Sequence, residues 1–170
     1  MPDQQYMVFV ETIRDCERLD ALIARLGLER SSIAVFSLAI PSSQWLEDRQ
    51  RSFEPVWRHV DEDGAKLRAV ERAAELCQTW HEPIWKHNSF YEVASMVSMR
   101  LLFECILLSN EIADKVLNKY ANKTLLLLPF ERQPLSWFRR YELADNSVFN
   151  AALRYQASIR SLKTEELDQS

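Results

Sequence analysis

Apolar residues along this chain fall into two kinds of pattern. Short continuous runs occur at Tyr6–Val10, at residues 33–40 and at residues 124–128. They are too short for stable helices and read as strands buried on both faces. Elsewhere apolar residues recur three and four positions apart, the period of a helix with one buried face. Thr12 caps such a helix running to about residue 28, with Ile13, Cys16, Leu19, Leu22, Ile23 and Leu26 on one stripe. Gly27 fits its end, where a left-handed residue is often required. Strand, helix and strand within about 35 residues make a βαβ unit.

Beyond Pro41 the pattern changes. Ser42 or Ser43 is placed to cap a helix through residues 44–47, and Pro55 and the polar cluster at 61–64 interrupt the next stretch. Helical spacing returns at residues 65–80 with Leu67, Val70, Ala73, Ala74, Cys77 and Trp80. Residues 81–88, with Pro83 and Trp85, read as a loop. Ser89 and Glu92 have the spacing of a capping box that opens a long helix from Phe90 to about Tyr120. The run at 124–128 admits two readings, the tail of that helix or a third strand. Its shortness, the polar stretch at 118–123 before it and Pro129 after it favour the strand. Residues 136–143 and 147–162 read as helices, and the polar residues 163–170 as a fraying tail.

The expectation is a helix-dominated α/β fold with a small, three-stranded parallel sheet. A helical insertion at about 43–121 separates the second and third strands, within one domain over residues 1–162. A sheet this small has edges that need cover from helices or from a partner.

Composition removes several function classes. The chain has 170 residues, of which 47% are hydrophobic and 27% charged, an ordinary globular balance. Its net charge of −4 gives no electrostatic case for nucleic acid or an anionic membrane. Only two glycines are present, Gly27 and Gly64, far apart. A dinucleotide-binding G-x-G-x-x-G and a phosphate-cradling P-loop are both excluded. The three cysteines, Cys16, Cys77 and Cys105, are odd in number and form no C-x-x-C. They read as buried free thiols in a reducing cytoplasm. His81-Glu82 lacks the second histidine of a zinc protease, since Trp85 stands four positions on and Pro83 breaks the helix between. His59, His81 and His87 are assigned surface or loop roles, and no metal or cofactor is expected. No secretory signal is read at residues 1–5, and Arg100 and Glu104 interrupt the most apolar stretch, so no transmembrane segment is expected.

Candidate chemistry lies where open parallel sheets place ligands, at the carboxyl ends of the strands. Those ends are Glu11-Thr12, residues 41–43 and residues 129–132. Ser42, Ser43, Glu131 and Arg132 are therefore the candidate binders of a polar ligand. The plainer reading makes the serines helix caps and the charged pair a solvated turn. Arg139-Arg140, flanked by Trp137, Phe138 and Tyr141, forms a compact basic cluster that could meet phosphate or single-stranded nucleic acid. Glu131 and Glu142 dilute it, and a solvated helix face is the plainer reading. Arg139 joins the candidate ligand set, and no catalytic residue is assigned. Five tryptophans are a high load, and most are expected in the core of the helical insertion.

The order of these features carries a resemblance. Strand, helix and strand are succeeded by Trp45-Leu46, by residues 74–77 leading to Trp80, by residues 88–92 opening a long apolar helix, and by the run at 125–129. This resembles the N-terminal, acceptor-side lobe of bacterial surface-polysaccharide glycosyltransferases of the two-Rossmann-lobe type. The resemblance implies a fragment, an accessory subunit or an inactive relative, because the donor-binding second lobe has no room in 170 residues. No signature residue of that group matches, so none is carried over. The competing expectation is a small interaction subunit whose sheet edge or long helix is covered by a protein partner or by a second copy of itself.

Overall fold

The structure is a computed structural model and describes residues 5–81, 90–128 and 146–167. Its centre is a parallel sheet of β1 (Tyr6–Val10), β2 (Ile33–Ser37), β3 (Glu54–Pro55), β4 (Thr124–Leu127) and β5 (Thr164–Glu166). The order is β3-β2-β1-β4-β5, and every neighbouring pair is parallel. The chain therefore starts in the middle, builds to one edge, returns to the middle and builds to the other. That is the order of a doubly wound α/β sheet.

The three expected strands are present, although the second, expected over residues 33–40, stops at Ser37 because a helix already opens at Ile40, and the sheet has five strands. Both additions are edge strands that carry no apolar run. β3 is two residues long and pairs through Phe36↔Glu54 and Ser37↔Pro55. β5 lies in the segment expected to fray: Leu125, Leu126 and Leu127 pair with Thr164, Glu165 and Glu166, and Leu167 is buried. Thr164 and Glu166 are exposed, so the polar residues of β5 give no strand pattern.

The two-residue alternation of the strands divides the core. Met7, Phe9, Ala34, Phe36, Leu125 and Leu127 point to one face. There they meet α3 (Glu62–His81), α4 (Phe90–Lys119) and α5 (Asn146–Ile159). Val8, Val10, Ile33, Val35, Leu126 and Leu128 point to the other, against Cys16, Leu19 and Leu22 of α1 (Ile13–Leu26) and Trp45 and Leu46 of α2 (Ile40–Asp48). Of the loop expected at 81–88 only His81 is described, as the last residue of α3. The helix expected at 136–143 lies outside the described residues.

Two helix starts differ from expectation. The cluster at 61–64 does not interrupt α3 but opens it. The Gly64 N–H donates to the Asp61 carboxylate at 3.3 Å, and a Cβ on Gly64 would lie 2.1 Å from Asp61 Oδ2. Any other residue at 64 would have to displace that carboxylate. α2 begins at Ile40, with Pro41 in its first turn and Ala39 as an N-cap without a side-chain bond. Ser42 and Ser43 therefore lie inside the helix rather than capping it.

Helix ends explain how the chain manages with two glycines. Gly27 closes α1 at φ 62°, as its sequence position indicated. The same left-handed conformation closes α2 at Gln50 (φ 52°) and α5 at Ser161 (φ 53°). In both, the next N–H reaches back into the helix: Arg51 to the Leu46 carbonyl at 2.9 Å and Leu162 to the Ala157 carbonyl at 3.0 Å. Glycine is the usual residue at such positions; here two residues with side chains bear the strain.

Candidate functional site

The carboxyl edge of the sheet is built from the turns after β1 and β2. After β1, Thr12 caps α1 by accepting the Asp15 N–H at 3.1 Å. The Asp15 carboxylate reaches back and accepts the N–H groups of Glu11 at 3.1 Å and Thr12 at 2.8 Å. Asp15 is 3% exposed. This is the place where a doubly wound domain turns helix N–H groups toward a ligand phosphate. Here the chain's own buried carboxylate occupies it, and no glycine opens the turn.

After β2, three hydroxyls meet. Ser37 Oγ lies 2.7 Å from Ser42 Oγ and 2.8 Å from Ser43 Oγ. The Ser42 hydroxyl donates to the Ala39 carbonyl at 2.9 Å. One consistent arrangement runs Ser43 to Ser37 to Ser42 to the Ala39 carbonyl, and every proton then has an acceptor. Ser37 and Ser42 are buried and Ser43 is half-buried. The Leu38 N–H ties the same turn to the Val10 carbonyl at 2.9 Å. So the structure places Ser42 and Ser43 at the expected edge, with hydroxyls that bind one another and the backbone. Glu131, Arg132 and Arg139 lie outside the described residues, as do Trp137, Phe138, Arg140 and Tyr141.

A second polar group, missed in the sequence, sits beside β3. His59 Nε2 is 2.8 Å from Glu54 Oε2, and Lys119 Nζ is 3.0 Å from His59 Nδ1. An ammonium can only donate, so Nδ1 accepts and the Nε2–H points to Glu54. The Tyr120 hydroxyl donates to the same Glu54 oxygen at 3.3 Å. Burial, and secondarily the Glu54 charge, push the Tyr120 phenol above its ordinary pKa. Of the surface or loop role expected of His59, the structure shows the second: it lies in a turn, but its side chain is only 5% exposed. Both its nitrogens are engaged within the protein, so the group fastens β3 to the end of α4 and offers no nitrogen to a substrate. Glu54 and Lys119 lie far apart in sequence; the pairing of the two-residue β3 with β2 places Glu54, and His59 links it to Lys119 at the end of α4. The side chains of His81 and His87 lie outside the described residues.

The cysteines divide. Cys16 and Cys77 are buried, and Cys105, expected in the core, is only half-buried. Burial, with Asp15 and Asp20 adding to it, pushes the Cys16 thiol up to about 12. Its folded pKa lies above the unfolded value, so the thiol stays protonated and unreactive through the neutral range. Maleimide labelling of the native protein is expected to modify Cys105 well before Cys16, and faster labelling of Cys16 would contradict its placement.

Among the described residues no three His, Cys, Asp or Glu side chains converge to hold a metal ion. No helix among them is long and apolar enough to cross a membrane. Comparison of the chain with protein-family models, with curated proteins and with solved structures finds no match in any of the three.

Proposed function

We propose that the chain is a non-catalytic, accessory α/β domain, akin in its order of elements to the acceptor-side lobe of a surface-polysaccharide glycosyltransferase. The observation that carries this reading is Asp15. Transfer from a sugar nucleotide needs N–H donors or cations aimed at the leaving diphosphate. In a doubly wound domain the first strand-to-helix turn supplies them. Here the N–H groups of Glu11 and Thr12 are already bonded to a buried carboxylate, which would repel a diphosphate. Any ligand at this edge would then be acceptor-like or regulatory and would lie near Ser42 and Ser43.

The test incubates the purified chain with a panel of sugar nucleotides. No release of nucleoside diphosphate or monophosphate is expected, and no thermal stabilisation by the nucleotides. Turnover that is lost on Arg132→Ala or Arg139→Ala would overturn the reading.

A second reading, a protein-interaction subunit, is favoured by α4. Leu101, Leu102, Phe103, Ile106, Leu107 and Leu108 all retain exposed surface, on a helix whose other end is packed into the core by Ile112, Ala113, Val116 and Leu117. An accessory domain and an interaction subunit differ in whether a carbohydrate acceptor binds; a titration with oligosaccharide acceptors separates them.

A further inference from the structure

β5 closes one side of the sheet, and its outer edge has no strand beside it among the described residues. The backbone bonds fix which groups that edge presents. The Lys163 carbonyl accepts the Leu125 N–H at 2.9 Å, and the Leu167 N–H donates to the Leu127 carbonyl at 3.0 Å. Backbone direction alternates along a strand. Lys163, Glu165 and Leu167 therefore turn their bonding groups toward β4, while Thr164 and Glu166 turn theirs outward. An open edge of this kind is a template for another strand.

We infer that this edge pairs with β5 of a second copy, antiparallel, with Thr164 on the two-fold axis. Antiparallel strands related by a two-fold keep each sheet face continuous only if the axis stands perpendicular to the sheet. One residue of the strand must then face its own counterpart. Centring on Glu165 or on Glu166 sets identical carboxylates directly opposite, which is destabilising. Centring on Thr164 sets Lys163 opposite Glu165 of the second copy, twice. This is the one register of the three in which charges complement. It also makes Thr164 a hydrogen-bonded pair with its counterpart, through the N–H and carbonyl that point outward. The flanking Lys163 and Glu165 then form the non-bonded pair, whose side chains lie closest.

The side chains are available for this. Lys163 and Glu165 form an ion pair within one chain at 3.3 Å, with their side chains 72% and 43% exposed, so the charges already lie on one face. On the other face Arg154 of α5 holds Glu166, which brings α5 over the strand and toward the axis. The Leu162 N–H is committed to Ala157, leaving the Leu162 carbonyl to receive the Glu166 N–H of the other copy. A lysine on an edge strand ordinarily guards against pairing; here the same strand supplies the carboxylate that takes it.

Size-exclusion chromatography with light scattering on the full chain, over a wide concentration range, tests the inference. The natural protein is expected to dimerise with increasing concentration. Thr164→Pro removes an outward N–H and leaves the β4 ladder intact, so a folded monomer is expected, judged by an unchanged circular dichroism spectrum. Lys163→Glu sets like charges opposite and is expected to weaken the dimer about tenfold or more, without touching a backbone bond. The exchange Lys163→Glu with Glu165→Lys is expected to restore it. A natural protein that is monomeric at every concentration would overturn the inference. So would a dimer that survives both single variants, or a charge exchange that fails to restore it.

Discussion

Phe36→Ala is expected to destabilise the fold by about 3–5 kcal/mol, the cost typical of emptying a large aromatic site. Phe36 is 1% exposed and lies in the second of the two strands of the founding βαβ unit. Its ring stacks on Phe9 at 5.2 Å and meets Tyr120 at 5.0 Å and His59 at 5.8 Å. These neighbours come from β1, from the end of α4 and from the turn after β3. Truncation would thus leave a cavity and also remove the ring against which the His59–Glu54–Lys119 group is assembled. Urea unfolding should show a lower midpoint with an unchanged slope. Phe36→Leu, which keeps most of the volume, should cost less. A loss below about 0.5 kcal/mol for alanine, the range of ordinary surface changes, would contradict this packing.

Asp15→Ala is expected to cost about 2–4 kcal/mol, since one carboxylate accepts two backbone N–H groups and bonds to a charged acceptor are worth more than neutral ones. The Glu11 and Thr12 N–H groups would lose their acceptor, and the N-terminus of α1 would lose the negative charge that favours it. Asp15→Asn keeps an acceptor oxygen and should cost less. The alanine variant also frees the turn for an anion. Inorganic phosphate should raise the melting temperature of Asp15→Ala more than that of the natural protein. Equal shifts in both would show that the turn is closed to anions by something other than this carboxylate.

The sheet's interior was legible in the sequence, and its edges were not. β1, β2 and β4 are buried on both faces, so burial writes an unbroken apolar run into each. β3 is too short to have a period, and the polar residues of β5 hold no apolar alternation. α1 was legible at both ends, because Thr12 and Gly27 mark them, although it stops at Leu26 rather than near residue 28. The caps of α2 and α5 were not, because Gln50 and Ser161 adopt the left-handed conformation without the residue that usually announces it. At the candidate site the position of Ser42 and Ser43 came from the rule that ligands gather at strand ends. Their bonding did not, since it depends on Ser37 and on where α2 starts. Thr12 and Asp15 had the spacing of a capping box in plain view; the burial of Asp15, which decides its meaning, is a property of the fold alone.

The strand order also sets a schedule for synthesis. β1 finds its first neighbour, β2, as soon as residues 33–37 leave the ribosome. Its other side pairs with β4, made more than a hundred residues later. In the interval α3 and α4 are complete, and both need the sheet face that Leu125 and Leu127 help to form. A nascent chain therefore carries a central strand with one bare edge through most of its translation. Contacts of such long sequence separation form slowly. A pause or truncation between residues 60 and 120 would leave that edge as a template that captures a neighbouring chain.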